Sequence, residues 1–191
     1  MSEELCLKVV SALKKRGFEA VFAKTAEEAA DIVMQEAESA QSVGRGGSET
    51  LKEIGARDRL LVSGKEIRDH KLDMDLFLLS ANAITADGRI VNIDGNGNRV
   101  AASISGPRRV LYVIGRNKIV EGGVDDAIAR IKRCACPPNC RRLGKRTPCA
   151  ATGECADCDS PDRICKVTAI FDRRPTGMPT KVVVVDAELG Y

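Results

Sequence analysis

Residues 42–51 read SVGRGGSETL, in which a short apolar strand passes through a glycine turn into a helix. Gly46 and Gly47 let the backbone approach a ligand closely, and Ser48 suits either a helix cap or a hydroxyl donor to an anion. Thr50 follows in the first helical turn. Free N–H groups and the helix dipole favour anions at such a turn. The segment therefore predicts either an anion-binding loop or a capped helix after a tight turn.

On both sides of this loop, helical patterns alternate with short apolar runs. We expect helices at residues 3–16, 25–37 and 123–133. The expected strands are 18–23, 42–45, 59–63, 75–79, 83–85, 90–93, 100–105, 109–114 and 182–185. The pair Asp87-Gly88 lies between β-prone runs and predicts a hairpin. This alternation predicts an α/β domain with a layered, mostly parallel sheet.

Composition and charge exclude several classes of protein. The 191 residues contain no Trp, two Tyr and four Phe, and the formal net charge is only +3. A nucleic-acid partner is therefore not expected, since base-stacking rings and a phosphate-binding footprint are both missing. No apolar run approaches the roughly 20 residues of a membrane span, and the N-terminus lacks a secretion signal. We expect a cytoplasmic protein with no membrane partner.

Amides and charged groups concentrate between residues 80 and 118, at the ends of expected strands. Ligands of open α/β sheets bind beyond the carboxyl ends of the strands, so these groups are candidates for such a crevice. Asn and Asp are also frequent in turns, which is the alternative explanation. The candidates carried forward from this region are Asn82, Asp87, Asn92 and Arg99. The only histidine, His70, lies in a polar stretch and receives no catalytic role.

Seven of the eight cysteines fall within residues 134–165. In a reducing compartment such a cluster indicates metal binding or redox chemistry before disulfides. Four of them, Cys149, Cys155, Cys158 and Cys165, predict one metal centre, because four thiolates suit zinc or an iron–sulfur cluster. The single C-x2-C pair favours a [4Fe-4S] cluster, with zinc as the alternative. Buried packing cysteines and a disulfide framework are the competing explanations.

Several strings resemble the LUD domain family, which takes its name from lactate utilization proteins such as the third component of the bacterial lactate oxidation operon. They are VGRGGSETLKEIG, LFLLSANAITADGRIVNIDGNGNRVAASISGPRRVLYVIGRNKIV, DDAIARIK, TPCAATGECADCDSPDRIC and AELGY. The resemblance implies one domain over 1–191, with the cysteine-rich segment 134–165 inserted before the last strand. It also implies a fold of the NagB/RpiA/CoA-transferase-like group.

For function, the resemblance implies a role in lactate or related organic-acid oxidation beside iron–sulfur oxidoreductase subunits. On the same analogy an anionic small molecule binds at Gly46, Gly47, Ser48 and Thr50, with Asn82, Asp87, Asn92 and Arg99 around it. The alternatives are a stand-alone enzyme that binds a phosphosugar or CoA ester, and a metal-stapled assembly protein. No glutamate matches the CoA-transferase nucleophile, and no catalytic residue is assigned. The oligomeric state stays open, a homo-oligomer included.

Overall fold

The computed structural model describes residues 2–69 and 73–191, so His70 lies outside the described residues. Within them the helices are α1 (Ser2–Lys15), α2 (Ala26–Glu38), α3 (Glu49–Glu53), α4 (Ala56–Val62), α5 (Asn98–Ile104), α6 (Val124–Arg130), α7 (Cys136–Arg142) and α8 (Pro148–Thr152). The strands are β1 (Glu19–Ala23), β2 (Ser42–Arg45), β3 (Glu66–Asp69), β4 (Leu76–Leu79), β5 (Ala83–Thr85), β6 (Ile90–Asp94), β7 (Arg109–Gly115), β8 (Ile119–Val120), β9 (Val167–Phe171) and β10 (Thr180–Val185). A 3-10 turn (Arg116–Lys118) and a π-helical turn (Ile131–Ala135) follow β7 and α6. None of the described helices is long and apolar enough to cross a lipid bilayer.

The larger sheet is parallel in all its described pairings and has the strand order β1-β10-β7-β4-β2-β3. Every residue of β4 is buried, as is β10 from Val182 onward. Such continuous apolar strands are typical of a parallel sheet covered on both faces. Helix α1 packs on one face, and α2, α3 and α4 pack on the other. The predicted layered α/β fold with a mostly parallel sheet is confirmed.

A second, smaller sheet has the strand order β8-β5-β6-β9. Strands β5 and β6 pair antiparallel, with Ala83 opposite Val91 and Ile84 opposite Ile90. Gly88 N donates to Thr85 O at 2.8 Å and closes the turn between them. The hairpin predicted from Asp87-Gly88 is confirmed.

Two segments expected to be strands are helices. Residues 59–63 belong mostly to α4, in which Leu60 is buried while Leu61 and Val62 are exposed. Residues 100–105 belong mostly to α5, and the Asp94 carboxylate accepts hydrogen bonds from the backbone N–H of Arg99 and Val100 at its start. Short apolar runs fit a strand and a buried helix turn equally well, so periodicity alone misassigned both.

The cysteine-rich segment folds over the smaller sheet. It contains α7 and α8, and it is followed by β9 and then by β10. Cys136 packs with Ile131 and Ala135 against Ala83 and Val91 of the hairpin. The segment therefore lies next to the ends of β5 and β6, and its charged residues are brought close to the strand-end loops.

The turn between β5 and β6 lies close against α1, and substitution of Gly88 tests this contact. Gly88 has a φ of +87°, and a Cβ there would lie 2.8 Å from the carbonyl carbon of Ala12 and 2.9 Å from Leu13 N. We expect Gly88→Ala to lower the free energy of unfolding by about 2–5 kcal/mol, from backbone strain plus overpacking. Urea denaturation measures this loss.

Gly64 is the matched control, because its φ is +74° but a Cβ at this position would have no neighbouring atom within 4 Å. Gly64→Ala should cost only the strain, about 1–2 kcal/mol. Equal losses in the two variants would contradict the close contact between the turn and α1.

Candidate functional site

A cavity of about 470 Å³ lies where the loops after β2, β4 and β6 meet the cysteine-rich segment. Strands β2 and β4 are parallel neighbours, so their carboxyl ends reach the same edge of the sheet. The loops contribute Gly47, Ser48, Ser80, Asn82 and Asp94, together with Arg99 from α5. Helix α7, residues 161–166 and the C-terminal Gly190 and Tyr191 form the remaining walls. The fold thus gathers residues from distant parts of the chain around one space.

The Gly-Gly-Ser loop forms one wall, and its serine is a helix cap. Ser48 Oγ accepts a hydrogen bond from Leu51 N at 3.2 Å. Helix α3 spans only five residues and carries Glu49 in its first turn. A carboxylate there weakens any attraction that the helix end exerts on an anion. Positive charge at the cavity therefore has to come from side chains.

Cationic side chains outnumber carboxylates around the cavity. Among the described lining residues, six are Lys or Arg and three are Asp or Glu. The cations are Arg99, Lys118, Arg142, Lys145, Arg163 and Lys166, and the carboxylates are Glu49, Asp94 and Asp162. Neither Lys145 nor Lys166 pairs with a carboxylate in the part of the chain that the structure describes. Without Lys118, the other five cations give the cavity wall a net positive charge of about two at neutral pH.

Arg99 reaches the cavity by crossing Gly46. A Cβ on Gly46 would lie 2.6 Å from Arg99 Cγ, so the crossing requires glycine at this position. Arg99 Nη2 donates to Ile93 O at 2.9 Å and to Asn82 Oδ1 at 3.2 Å. Its Nε lies 3.8 Å from Asp94 Oδ2. These contacts fix the guanidinium at the junction of the two sheets.

Lys118 is a buried amine on the cavity wall. Only 4% of the residue is exposed, and its Nζ donates to Thr50 Oγ1 at 2.7 Å and to Ser80 Oγ at 3.0 Å. No carboxylate of the described residues lies within ion-pair distance of Nζ. Burial, together with the charges of Arg130 and Arg99, lowers the pKa of Lys118 to about 7, and Glu53 opposes these effects. At neutral pH the amine is therefore present in both protonation states.

Seven of the eight predicted ligand-binding residues lie at the cavity wall or directly behind it. Gly47, Ser48, Asn82 and Arg99 line the cavity, and Gly46 lies directly under Arg99. Thr50 and Asn92 are buried behind the wall. Thr50 binds Lys118 and Leu189 O, while Asn92 Oδ1 accepts from Asn82 N at 3.0 Å. These two side chains support cavity residues from behind.

The structure does not bring Asp87 to this cavity, which corrects its expected placement beside Asn82. Asp87 lies in the turn between β5 and β6, at the opposite end of the hairpin from the loop after β6. Its carboxylate pairs with Arg16, in the turn directly after α1, at 2.6 Å and with Arg89 at 3.6 Å. Hydrogen bonding from Thr85 and these two arginines holds the pKa of Asp87 below its usual value. The side chain joins the hairpin to α1.

The cysteines of the predicted metal centre lie in the segment that walls the cavity. Cys149 is buried with its sulfur 3.8 Å from that of Cys140, whereas Cys155, Cys158 and Cys165 are half-buried. Across residues 2–69 and 73–191, no group of three or more His, Cys, Asp or Glu side chains is arranged to hold a metal ion. The four-cysteine centre stays a prediction.

Two further cysteines lie close to this set. Burial raises the pKa of Cys136 to about 12, and the neighbouring thiols of Cys165, Cys155 and Cys140 add to the effect. Arg163 donates to the carbonyl oxygens of Cys158 and Cys165 at 2.8 and 2.9 Å, which holds the loop between them. The thiols thus cluster against α7, whose other face lines the cavity.

Comparison with known proteins identifies the family of this chain. The sequence matches the model of the LUD domain over residues 6–185. The chain belongs to the LUD domain family. Membership makes it a lactate-utilization-type domain protein and names no substrate. No curated protein matches the chain.

One solved structure shows the fold of this LUD domain. A DUF162 family protein from Deinococcus radiodurans is 15% identical, with 97% of this chain and 98% of that chain covered and a TM-score of 0.59. This likeness shows a shared fold. Ribose 5-phosphate isomerase from Plasmodium falciparum is 10% identical over 65% of this chain and 55% of that chain, with a TM-score of 0.27.

Sequence reasoning missed several residues of the site. Lys118 belongs to the polar residues between 80 and 118 but was not carried forward as a candidate, although a lysine three residues after a buried strand is a usable signal. Arg142 and Lys145 have no sequence signal beyond their closeness to the thiols. In the LUD domain structure Arg142 Nε donates to Tyr191 Oη at 2.8 Å and lies 3.6 Å from Glu49 Oε1. No local pattern links residues 49, 142 and 191.

The burial of Lys118 predicts a particular pH dependence of stability. Burial and two nearby arginines lower its pKa to about 7 from 10.5, so the unfolded chain binds a proton that the folded chain lacks between these pH values. Stability should therefore rise with pH in this window, relative to Lys118→Met, by at most about 4 kcal/mol. Urea denaturation of both proteins across the window measures the difference, and parallel profiles would contradict a neutral buried amine.

Proposed function

We propose that this LUD domain binds an anionic organic molecule in the cavity between the Gly-Gly-Ser loop and the cysteine-rich segment. In this proposal it takes part in lactate or related organic-acid oxidation beside iron–sulfur electron-transfer partners. The observation that carries the binding role is the excess of six cations over three carboxylates among the described lining residues. The role in oxidation is supported by the family to which the chain belongs.

The deep end of the cavity gives the strongest support for an anion. Lys118 and Arg99 both lie there, and Arg130 stands behind them with its guanidinium bound to the carbonyl oxygens of Asn82 and Asn117. All three have only neutral hydrogen-bond partners among the described residues, and only Arg99 has a carboxylate within 4 Å. Charges act strongly on one another where water is scarce, so an anion in the cavity would relieve their mutual repulsion.

The size of the cavity favours a second candidate ligand class. Its volume of about 470 Å³ is within the range of pockets that hold whole drug-sized molecules. A three-carbon acid such as lactate fills only a small part of such a space. A phosphosugar or a CoA ester fills it better and brings phosphate groups for the cations near the rim, Arg142, Lys145 and Lys166. An enzyme acting on such a ligand is therefore the alternative function.

Ligand binding is testable with one substitution and a matched control. Arg99→Gln should weaken binding of the anion by about 1–3 kcal/mol, roughly 5- to 150-fold in Kd, because a charged hydrogen bond is lost. Thermal shift followed by calorimetry, with inorganic phosphate, lactate, pyruvate, ribose 5-phosphate and acetyl-CoA as probes, measures this effect.

The control is Arg57→Gln, which removes the same charge from an exposed position on α4. It should bind each anion as the wild type does. If no probe stabilises the wild type, or if both variants lose affinity equally, the anion-binding role of the cavity is overturned. Stabilisation by phosphorylated probes alone would favour the alternative function.

We further propose that Cys149, Cys155, Cys158 and Cys165 hold a [4Fe-4S] cluster, with zinc as the alternative. Four thiolates within seventeen residues suit a soft metal, and a segment rich in Gly, Pro and Asp gains stability from such a staple. A cluster would supply one-electron transfer close to the cavity. Among the described residues these side chains form no preformed centre, so the loop that carries Cys155 and Cys158 would have to close around the metal.

Metal content decides this proposal. Protein prepared anaerobically should contain iron and acid-labile sulfide in near-stoichiometric amounts, and Cys155→Ser/Cys158→Ser should lose both. Zinc without colour would reassign the centre to a structural role. Cys134→Ser is the control, since it lies in the same segment but outside the set. Anaerobic protein with neither metal would overturn the metal centre.

A further inference from the structure

Lys118 occupies an unusual position for a lysine. It ends the turn Arg116–Lys118 after the central strand β7, and its side chain runs under the C-terminal residues to the cavity wall. A Cβ on Gly190 would lie 3.2 Å from its Nζ, so the chain end covers the amine closely. Ser80, which accepts one of its hydrogen bonds, also lines the cavity.

The two hydrogen-bond partners of Lys118 are hydroxyl groups. A buried lysine with a structural role ordinarily pairs with a carboxylate, because an unpaired buried charge is costly. Thr50 Oγ1 and Ser80 Oγ instead accept the two hydrogens that a neutral amine retains. The nitrogen lone pair then takes the remaining direction of the tetrahedron. The site is thus built to tolerate an unprotonated amine.

Charged groups from three elements surround this amine. Arg99 of α5 and Arg130 of α6 disfavour its protonation, and Glu53 of α3 favours it. A lysine that is desolvated and close to other cations is the arrangement by which proteins make an amine nucleophilic at neutral pH. Arg99 also lines the cavity, so a carboxylate bound to it would lie near Lys118.

We propose that Lys118 is the reactive amine of the cavity and forms an imine with the carbonyl carbon of an anionic aldehyde or ketone. The simplest members of this substrate class are 2-oxo acids, in which the carboxylate and the carbonyl group are adjacent. The proposal rests on the anion-binding function above and names the chemical class of its ligand.

The step balances without an oxidant or a reductant. The lone pair of Nζ attacks the carbonyl carbon, the C–N bond forms as the C=O π pair moves to oxygen, and one N–H proton passes to that oxygen to give a neutral carbinolamine. The second N–H proton then passes to the hydroxyl group, which leaves as water, and the nitrogen lone pair closes the C=N bond. Arg99 holds the carboxylate throughout, which supplies the orientation that the attack requires.

Reductive trapping tests the proposal on the full chain. The protein is incubated with pyruvate and cyanoborohydride at neutral pH, and peptide mass spectrometry locates the reduced adduct. Lys118 should carry at least about tenfold more adduct than the exposed Lys14, because an ordinary lysine is almost fully protonated there. The labelling rate at Lys118 should level off above about pH 7.

Two variants test whether the labelling depends on imine formation by the amine of Lys118. Lys118→Arg keeps the cation but forms no imine, so it should take no adduct at this position. Lys14→Arg lies outside the cavity and should leave the labelling of Lys118 unchanged. Since the wild-type peptide map already compares the two lysines, the test does not depend on how either variant folds.

Inorganic phosphate distinguishes the two proposals, because it is an anion without a carbonyl group. If phosphate stabilises the protein but Lys118 takes no more adduct than Lys14, the imine proposal is overturned and the anion-binding function stands. If Lys118 is labelled preferentially while phosphate neither stabilises the protein nor slows the labelling, the amine proposal stands and the anion-binding function fails.

Discussion

One buried amine joins the loops on which the cavity depends. Through Thr50 and Ser80, Lys118 links the turn after β7 to α3 and to the end of β4. Thr50 in turn donates to Leu189 O, which fixes the C-terminal residues over the same point. The parallel pairing of β2, β4 and β7 brings these groups to one edge of the sheet, and the hydrogen bonds then set their spacing. Removing the amine would leave three loops without a common partner.

The sequence was informative where a local pattern decides the structure. Buried strands such as β4 and β10, the hairpin at Asp87-Gly88 and the cap at Ser48 all depend on residues within a few positions of one another. The helices α4 and α5 were misassigned because a run of five or six residues is too short for its period to be read. Strand β9, with Val167 and Ile170 exposed, carries no apolar alternation to indicate it.

The candidate site could be predicted only partly from the sequence. Positive charge is concentrated around the cavity, and the net charge of the whole chain does not show this. A net charge of +3 over the whole protein conceals a cavity wall whose six cations all come from residues 99–166. Asp87 shows the opposite error, since a polar residue near other polar residues in the sequence faces α1 and pairs with Arg16. The close approach of Arg99 explains why residue 46 is glycine, and no local pattern indicates that contact.

The cysteine-rich segment and the cavity are physically one unit. Helix α7 carries Cys140 on the side that meets Cys149 and Arg142 on the side that meets Tyr191 and Glu49. Because both faces belong to two turns of one helix, the packing of the thiols determines where this guanidinium stands. Cys136 packs against the hairpin and also lines the cavity. The segment therefore completes the cavity wall through the same helix that carries Cys136 and Cys140.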